Sequence, residues 1–308
     1  METVISVKDL EKVYGNHSVL KGISFEVERG SVFSLLGENG AGKTTTVHIL
    51  STLISATSGS VLIGGYDTRK DTDNVKKRIS LTGQYAAVDE LLTGKENLMM
   101  MGRLNHLDRQ TVKKRTVELL HQFDLVNAAN KSVKTYSGGM RRRLDIAISL
   151  LASPEVIFLD EPTTGLDPRS RNNMWKLIQE LSNKGVTIFL TTQYLEEADQ
   201  LADKIAILHE GKIVEQGPAE ALKKLVGEEK LEINLANQKE NWSIAKQLLA
   251  GKADEKNLTI LVPLSSVNNL REQLQLLHEN GIEPASISIR KPTLDDVFMQ
   301  ITKNKKYE

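Results

Sequence analysis

The stretch Gly37-Glu38-Asn39-Gly40-Ala41-Gly42-Lys43-Thr44 decides the fold of this chain. It fits the phosphate-loop pattern of a glycine, four residues, a second glycine, a lysine and a serine or threonine. An apolar segment at 31–36 precedes it, and residues 44–54 follow with apolar side chains at helical spacing. The sequence therefore predicts a strand, a phosphate-binding loop and a helix, in the order that this motif requires.

The chemistry of such a loop explains its residue types. Glycines let backbone N–H groups turn inward around a β-phosphate, and the N-terminus of the next helix adds partial positive charge. Lys43 can reach the β- and γ-phosphates, and the hydroxyl of Thr44 can bind Mg²⁺. We predict that the chain binds a nucleoside triphosphate through Gly37, Glu38, Asn39, Gly40, Ala41, Gly42, Lys43, Thr44 and Thr45.

Two acidic residues follow another apolar segment much further along the chain. Residues 156–159, Val-Ile-Phe-Leu, predict a buried strand that leads into Asp160 and Glu161. The first acid can hold the magnesium shell, and the second can polarise a water molecule. Such a run is a weak signal by itself, but the phosphate loop upstream makes it a candidate for the second half of one site.

Composition and charge argue against several classes of protein. The chain has 308 residues with 40 basic and 40 acidic side chains, of which 27 of each lie up to Gly217 and 13 of each after it. Because no surplus of lysine and arginine exists, nucleic-acid binding and a polybasic membrane anchor are disfavoured. The chain has no cysteine, and no apolar run reaches the roughly 18 residues of a membrane span. We expect a cytoplasmic protein.

The periodicity predicts two domains. Strands alternate with helices over residues 1–217, interrupted by a polar helical insertion at about 89–135. A new strand–helix pattern begins at Pro218 and predicts a small α/β domain over 218–308. Its predicted elements are strands at 231–235, 258–262 and 285–289 and a helix at 266–280 that Gly281 ends.

The segment Tyr136-Ser137-Gly138-Gly139-Met140 opens a predicted helix just before the two acids. With this motif in place, residues 1 to about 217 resemble the ATP-binding subunits of ABC transporters. The resemblance implies an α/β fold, a P-loop NTPase cassette of the ABC type with a mixed-sheet core and a helical subdomain. It also implies an ATPase with composite sites, each complete only when two ATP-binding subunits, here in a homodimer, close face to face.

The same resemblance implies roles for individual residues in one subunit's own site. Tyr14 would stack on adenine, and Gln84 would contact both Mg²⁺ and the attacking water. Glu161 would polarise that water. The metal-binding set would then be Thr44, Gln84 and Asp160.

Further residues would act at the junction of the two subunits. The resemblance implies that Ser137, Gly138 and Gly139 bind the γ-phosphate held by the other subunit, and that Asp167 communicates across the dimer. Three arginines, Arg141, Arg142 and Arg143, follow this signature motif on the same predicted helix. We interpret them as a solvated helix face with local ion pairs.

One position departs from the family's usual pattern. After the strand predicted at 186–191, most members carry a histidine that contacts the γ-phosphate, and this chain carries Gln193. Glutamine can donate a hydrogen bond to a phosphate oxygen but cannot carry positive charge. The exchange therefore either alters the rate of hydrolysis or is neutral. We predict that hydrolysis persists, with Lys43, Glu161 and Gln193 as the catalytic residues.

Two further segments narrow the resemblance. Residues 190–199 and 291–298 resemble the daunorubicin-resistance branch of ABC-2 drug exporters. In that branch, separate membrane-spanning permease subunits form the channel. The resemblance implies an ATPase that powers export of drugs or antibiotics while it is bound to the inner face of the membrane through its permease. The insertion at 89–135 would pass motion to that partner.

Two other functions fit parts of the sequence. A soluble ABC-type ATPase acting on ribosomes or DNA usually has two tandem cassettes or a long coiled-coil insertion, and this chain shows one cassette and no sustained heptads. A nucleotide switch that binds ATP without hydrolysing it is suggested by Gln193 alone. ATP-dependent dimerisation without phosphate release would indicate the switch.

Overall fold

The computed structural model describes residues 2–84, 87–227, 229–237 and 239–304. The chain divides into two compact units, Met1–Ala219 and Glu220–Glu308. The strands of the first unit are β1 (Thr3–Tyr14), β2 (His17–Glu28), β3 (Val32–Leu36), β4 (Ser58–Ile63), β5 (Tyr66–Asp67), β6 (Ile79–Thr82), β7 (Val156–Asp160), β8 (Thr187–Thr192), β9 (Lys204–His209) and β10 (Lys212–Gly217). Its helices are α1 (Lys43–Leu50), α2 (Thr72–Lys76), α3 (Gly94–Leu104), α4 (Arg109–Gln122), α5 (Gly138–Ser149), α6 (Pro168–Asn183) and α7 (Leu195–Leu201).

The central sheet of the first unit is mixed and has the strand order β10-β9-β3-β8-β7-β6. The strands from β9 to β6 are parallel to their neighbours, and β10 is antiparallel to β9. Every residue of β3, β7 and β8 is buried, which explains their continuous apolar sequences. Because the carboxyl ends of parallel strands meet at one edge, the loops after β3, β8, β7 and β6 lie side by side.

A second, antiparallel sheet has the order β2-β1-β4-β5. Its inner face shares a core with the central sheet, and aromatic rings mark the junction. Phe25 of β2 stacks on Phe33 of β3 with ring centroids 5.1 Å apart, and Phe33 stacks on Phe189 of β8 at 5.3 Å. This packing joins the two sheets and fixes the strand that leads into the phosphate loop.

The insertion between β6 and β7 is helical, as its sequence predicts. Its helices α3 and α4 are followed by 3₁₀ turns at Val126–Ala128 and Val133–Thr135. Leu119, Leu120 and Phe123 form a buried stripe of the insertion, since they are at most 6% exposed. Among the described helices of the chain, none is both long and apolar enough to cross a bilayer.

Helix α1 ends four residues earlier than its sequence pattern predicts. Thr52 adopts a left-handed conformation with φ 62°, and the N–H of Leu53 donates to the carbonyl of His48 at 2.8 Å. The N–H of Thr52 donates to the carbonyl of Ile49 at 3.1 Å. This pair of bonds closes a Schellman motif, with threonine at the position that glycine usually occupies. The apolar spacing up to Ile54 therefore continues past the end of the helix.

The second unit is a smaller α/β structure with its own core. Its sheet is antiparallel in the order β12-β13-β11-β14, and Leu231, Ile233 and Ile260 are fully buried in its core. Gly281 has φ 66° just beyond a helix, as its sequence predicts. The elements are α8 (Ala219–Lys224), β11 (Lys230–Asn234), α9 (Trp242–Leu248), β12 (Lys252–Asp254), β13 (Thr259–Pro263), α10 (Val267–Glu279), β14 (Ser286–Arg290) and α11 (Leu294–Asn304).

Candidate nucleotide site

The phosphate loop joins β3 to α1, and close packing requires two of its glycines. Gly42 has φ 110°, and a Cβ there would lie 2.7 Å from Leu20 Cδ2 and 3.2 Å from the carbonyl oxygen of Val19. A Cβ on Gly37 would collide with the carbonyl oxygen of Leu208. Substitution at either position would therefore displace backbone, so the spacing of these glycines in the motif has a steric cause.

Lys43 occupies the centre of the loop and is 4% exposed. Its Nζ donates to the carbonyls of Gly37 at 2.8 Å and Glu38 at 3.1 Å. It also lies 3.4 Å from Oε1 of Glu161. A buried ammonium needs such partners, because desolvation of an unpaired charge is costly. Thr44, the next residue, is exposed at the start of α1.

Glu161 follows β7 and is 7% exposed. Its Oε2 accepts hydrogen bonds from Gln84 Nε2 at 3.3 Å and from Thr164 Oγ1 at 3.2 Å. Glu161 has φ 48°, a left-handed conformation that is rare for residues with a side chain. The structure thus brings together Lys43, Gln84 and Glu161, which lie far apart in the sequence and follow different strands of the central sheet.

Asp160 is the last residue of β7 and is 3% exposed. Its Oδ1 accepts a hydrogen bond from Thr191 Oγ1 on the neighbouring strand β8. Among the described residues, no group of three or more His, Asp or Glu side chains could hold a metal ion by itself. The donor types available here, a carboxylate at Asp160 and a hydroxyl at Thr44, suit Mg²⁺ that takes its other ligands from phosphate and water.

The signature motif begins helix α5. Ser137 is its N-cap, and Ser137 and Gly138 are exposed to solvent. A Cβ on Gly139 would lie 2.9 Å from Ser170 Oγ. Asp167 caps the neighbouring helix α6 and accepts from Ser170 N at 3.0 Å and Ser170 Oγ at 2.6 Å, and these hydrogen bonds lower the pKa of Asp167. The start of the signature helix and the Asp167 turn therefore lie in contact.

Two residues predicted for the site, Tyr14 and Gln193, make no bond to its centre at Lys43 and Glu161 in the described part of the chain. Tyr14 ends β1 and is 48% exposed, with Lys12 Nζ 4.8 Å from its ring centroid. Gln193 follows β8 and is half-buried. Within the described part of the chain, neither side chain bonds to Lys43 or Glu161, so the roles of both residues remain predictions.

Comparison with known proteins agrees with these observations. A model of the ABC transporter family matches residues 20–164. The daunorubicin resistance ATP-binding protein DrrA2 of Streptomyces coeruleorubidus is 44% identical over 304 residues, which cover 97% of this chain and 94% of that protein. The linearmycin resistance ATP-binding protein LnrL of Bacillus subtilis is 33% identical over 97% of this chain and 98% of its own length. The chain belongs to the ABC transporter family.

Solved structures confirm the predicted ABC cassette fold. An ATP-binding subunit of an ABC transporter matches with a TM-score of 0.64 and 28% identity over 72% of this chain and 92% of that one. A dimeric ATP-binding cassette in a post-hydrolysis state, bound to ADP and Pi, matches with a TM-score of 0.62 and 26% identity over 70% of this chain and 98% of that one. The chain is an ABC ATPase.

The interpretation of Arg141, Arg142 and Arg143 as a solvated helix face with local ion pairs is wrong for Arg142. Arg141 is half-exposed and pairs with Glu90 at 2.9 Å, as expected of a solvated face. Arg142, in contrast, is only 6% exposed and points into the ABC cassette. Arg143 donates to the carbonyl of Phe123 at 2.9 Å. The sequence carries no signal for the burial of Arg142, because its partners are mostly backbone carbonyls from distant segments.

Two buried acids beside this arginine also escape sequence analysis. Asp145 lies one turn along α5, with its Oδ2 3.4 Å from Arg142 Nη1. Burial raises the pKa of Asp145 to about 6, against the attraction of Arg142. Glu197 of α7 is fully buried and accepts from Thr163 Oγ1 at 2.8 Å and Trp175 Nε1 at 3.1 Å. Burial also raises the pKa of Glu197.

Proposed function

We propose that this ABC ATPase powers the export of drugs or antibiotics through separate membrane-spanning permease subunits. The observation that carries the ATPase part is the meeting of Lys43, Gln84 and Glu161 at the carboxyl edge of the central sheet. The export part is supported by relatives named for daunorubicin resistance, linearmycin resistance and Nod factor export. The chain would sit on the inner face of the membrane through its permease.

The residues of one subunit suggest how ATP is held. Backbone N–H groups of the loop and the ammonium of Lys43 would bind the β- and γ-phosphates. Thr44, Gln84 and Asp160 would hold Mg²⁺, and the ion, when bound, neutralises charge on the phosphate oxygens. Tyr14 is exposed enough to stack on adenine.

Hydrolysis would use Glu161 as the base. Its carboxylate is buried and already oriented by Gln84 and Thr164, so it could accept a proton from the attacking water while Gln84 orients that water. Gln193 would donate a hydrogen bond to the γ-phosphate, as its amide allows.

A second copy of the chain would complete each site. Ser137 and Gly138 are exposed at the start of α5, and a helix N-terminus attracts phosphate. These residues and Gly139 would bind the γ-phosphate held by the other subunit, and Asp167 beside them would communicate across the homodimer. ATP would then draw the two copies together, and hydrolysis would release them.

The helical insertion offers a surface for the permease. A groove of about 520 Å³ between its helices is lined in part by Met99, Val117 and Val126. Val117 is 54% exposed and Val126 is 45% exposed, and apolar side chains exposed together on one surface are typical of protein contact sites. We place the permease contact on the 89–135 insertion and treat residues 218–308 as an accessory domain.

Co-expression with a candidate permease, sought among the genes that neighbour this one, tests the proposal. The pair should release phosphate from ATP and should lower the accumulation of daunorubicin in a host that lacks other exporters. The pair carrying Glu161→Gln is the control, and it should do neither. Phosphate release without any effect on drug accumulation would contradict export, whereas ATP-dependent dimerisation without phosphate release would indicate a nucleotide switch.

A further inference from the structure

Arg142 lies one turn into α5, and its charged side chain is buried in the interior of the first unit. Its Nε donates to the carbonyl of Pro162 at 3.0 Å, and its Nη2 donates to the carbonyl of Asp160 at 3.0 Å. Its Nη1 donates to the carbonyl of Gly83. A buried guanidinium is tolerated only when its N–H groups are paired, so these carbonyls explain how Arg142 can be buried.

The three carbonyls flank the two residues that face the attacking water in the proposed function. Asp160 and Pro162 stand directly before and after Glu161, and Gly83 stands directly before Gln84. The backbone on either side of a residue sets the direction in which its side chain leaves the chain. The guanidinium of Arg142 therefore fixes the backbone positions from which the side chains of Glu161 and Gln84 extend.

The backbone at Glu161 needs such support. Its φ of 48° is unfavourable for a residue with a side chain, and a conformation of this kind persists only where the surroundings hold it. From one side, the N–H of Glu161 donates to the carbonyl and to the hydroxyl of Thr191, both at 3.1 Å. From the other side, Arg142 holds the flanking carbonyls. Together, strand β8 and helix α5 fix the strained residue.

Asp145, which pairs with Arg142, holds the backbone on the C-terminal side of Gln84 as well. Asp145 pairs with Arg142 and accepts a hydrogen bond from the backbone N–H of Ala87 at 3.2 Å. The backbone is thus tied to α5 both before Gln84, through Gly83, and after it, through Ala87. Burial lowers the pKa of Arg142, and the attraction of Asp145, Asp160 and Glu197 opposes this effect. Arginine remains charged at neutral pH.

We propose that Arg142 is a positioning residue for ATP hydrolysis, whose guanidinium clamps the backbone around Glu161 and Gln84 so that both side chains meet the attacking water. The inference rests on the proposed role of Glu161 as the base. Among the described residues, Arg142 bonds to Gly83, Asp145, Asp160 and Pro162 and not to the phosphate loop at 37–44. Gln84 and Asp160 would take part in ATP binding only through Mg²⁺, so loss of the clamp should slow the chemical step and leave nucleotide binding measured without Mg²⁺ intact.

The test compares full-length variants by ATP affinity, KM, kcat and melting temperature. Arg142→Ala should bind a fluorescent ATP analogue, titrated without Mg²⁺, within about threefold of wild type, while kcat falls by about tenfold or more and by a larger factor than KM changes. Arg142→Lys should have an intermediate kcat, because a single ammonium lacks the planar fork that reaches three carbonyls. The matched control is Arg143→Ala on the same helix, whose bonds go to Phe123 and Asp124. That variant should melt at a lower temperature but keep its kcat within about twofold.

Glu161→Gln, assayed beside them, separates failure of this inference from failure of the proposed function. If Glu161→Gln is inactive and Arg142→Ala keeps wild-type kcat, the clamp is refuted and the base assignment stands. If Glu161→Gln itself turns over at the wild-type rate, both assignments fall. Should Arg142→Ala fail to fold, Arg142→Lys decides the matter, and a wild-type kcat in that folded variant refutes the clamp.

Discussion

Glu161 combines three features that seldom occur in one residue. Its carboxylate is buried, its backbone is left-handed, and its two oxygens face Lys43 on one side and Gln84 on the other. Strained residues concentrate at functional sites, where rigid surroundings fix a side chain for its task. The energetic strain at Glu161 is a reason to look for catalysis there, independent of the family to which the chain belongs.

Glu161→Gln should abolish turnover while it preserves ATP binding. The amide has nearly the same shape but cannot accept a proton, so kcat should fall by about 100-fold or more. ATP affinity should be unchanged or higher, because Lys43 would no longer pair with a carboxylate. Phosphate release and nucleotide titration measure the two effects. Equal loss of binding and turnover would mean that Glu161 serves the phosphate loop rather than the water.

Substitution of Gln193 tests whether this residue takes part in catalysis or is a neutral replacement. If its amide donates to the γ-phosphate, Gln193→Ala should lower kcat by about tenfold, the value of one hydrogen bond made in the transition state. Gln193→His should turn over at least as fast as wild type, since imidazole can donate the same bond and can carry charge. Steady-state kinetics distinguish the cases, and an unchanged rate in Gln193→Ala would show that the position is neutral.

Helix α5 links several parts of the candidate site. Its N-terminus presents the signature, its first turns carry Arg142, and its next turn carries Asp145. Through these side chains it reaches the segments around Gln84 and Glu161. A shift of this helix would therefore move the residues that we propose for hydrolysis with it, because packed elements move as rigid bodies.

The contribution of the Asp145 side chain to the stability of the folded protein should rise as the solution is acidified. Its pKa of about 6 lies above the 3.8 of an ordinary aspartate, so the folded state binds this proton more tightly than the unfolded state. The contribution is complete below about pH 4 and is lost as the pH rises through about 6. It amounts to on the order of 3 kcal/mol between these extremes.

Thermal unfolding of wild type and Asp145→Asn from pH 4 to pH 8 would check this contribution. The wild type should gain stability relative to the asparagine variant on acidification, because only its side chain can take up the proton. A stability difference that does not vary with pH would contradict the prediction.

The phosphate loop is predictable from sequence because all its determinants lie within eight consecutive residues. The strand before Asp160 is predictable for a related reason, since burial on both faces leaves an unbroken apolar run. The end of α1 is not, because Thr52 takes a conformation that sequence rules assign to glycine. The burial of Arg142 cannot be predicted from the sequence, because its partners are backbone carbonyls and every residue type carries one.

The two units each have a hydrophobic core, and every residue of the candidate site lies in the first. A chain that stops after Ala219 should therefore fold and bind ATP with an affinity within about threefold of the full chain. Calorimetry with ATP and a melting curve measure both properties. A truncated chain that folds but fails to bind ATP would assign part of the nucleotide site to residues 220–308.

The order of strands in the central sheet has a consequence for how the protein is made. Strand β3, which supports the phosphate loop, pairs with β8 on one side and β9 on the other, and both of these strands lie beyond residue 186. During synthesis, the phosphate loop therefore leaves the ribosome long before β8 and β9, the strands that hold it in place. Contacts between such distant segments form slowly. During this delay the nascent chain should expose its apolar β3, to which chaperones can bind. It should first bind ATP only after β9 has emerged from the ribosome.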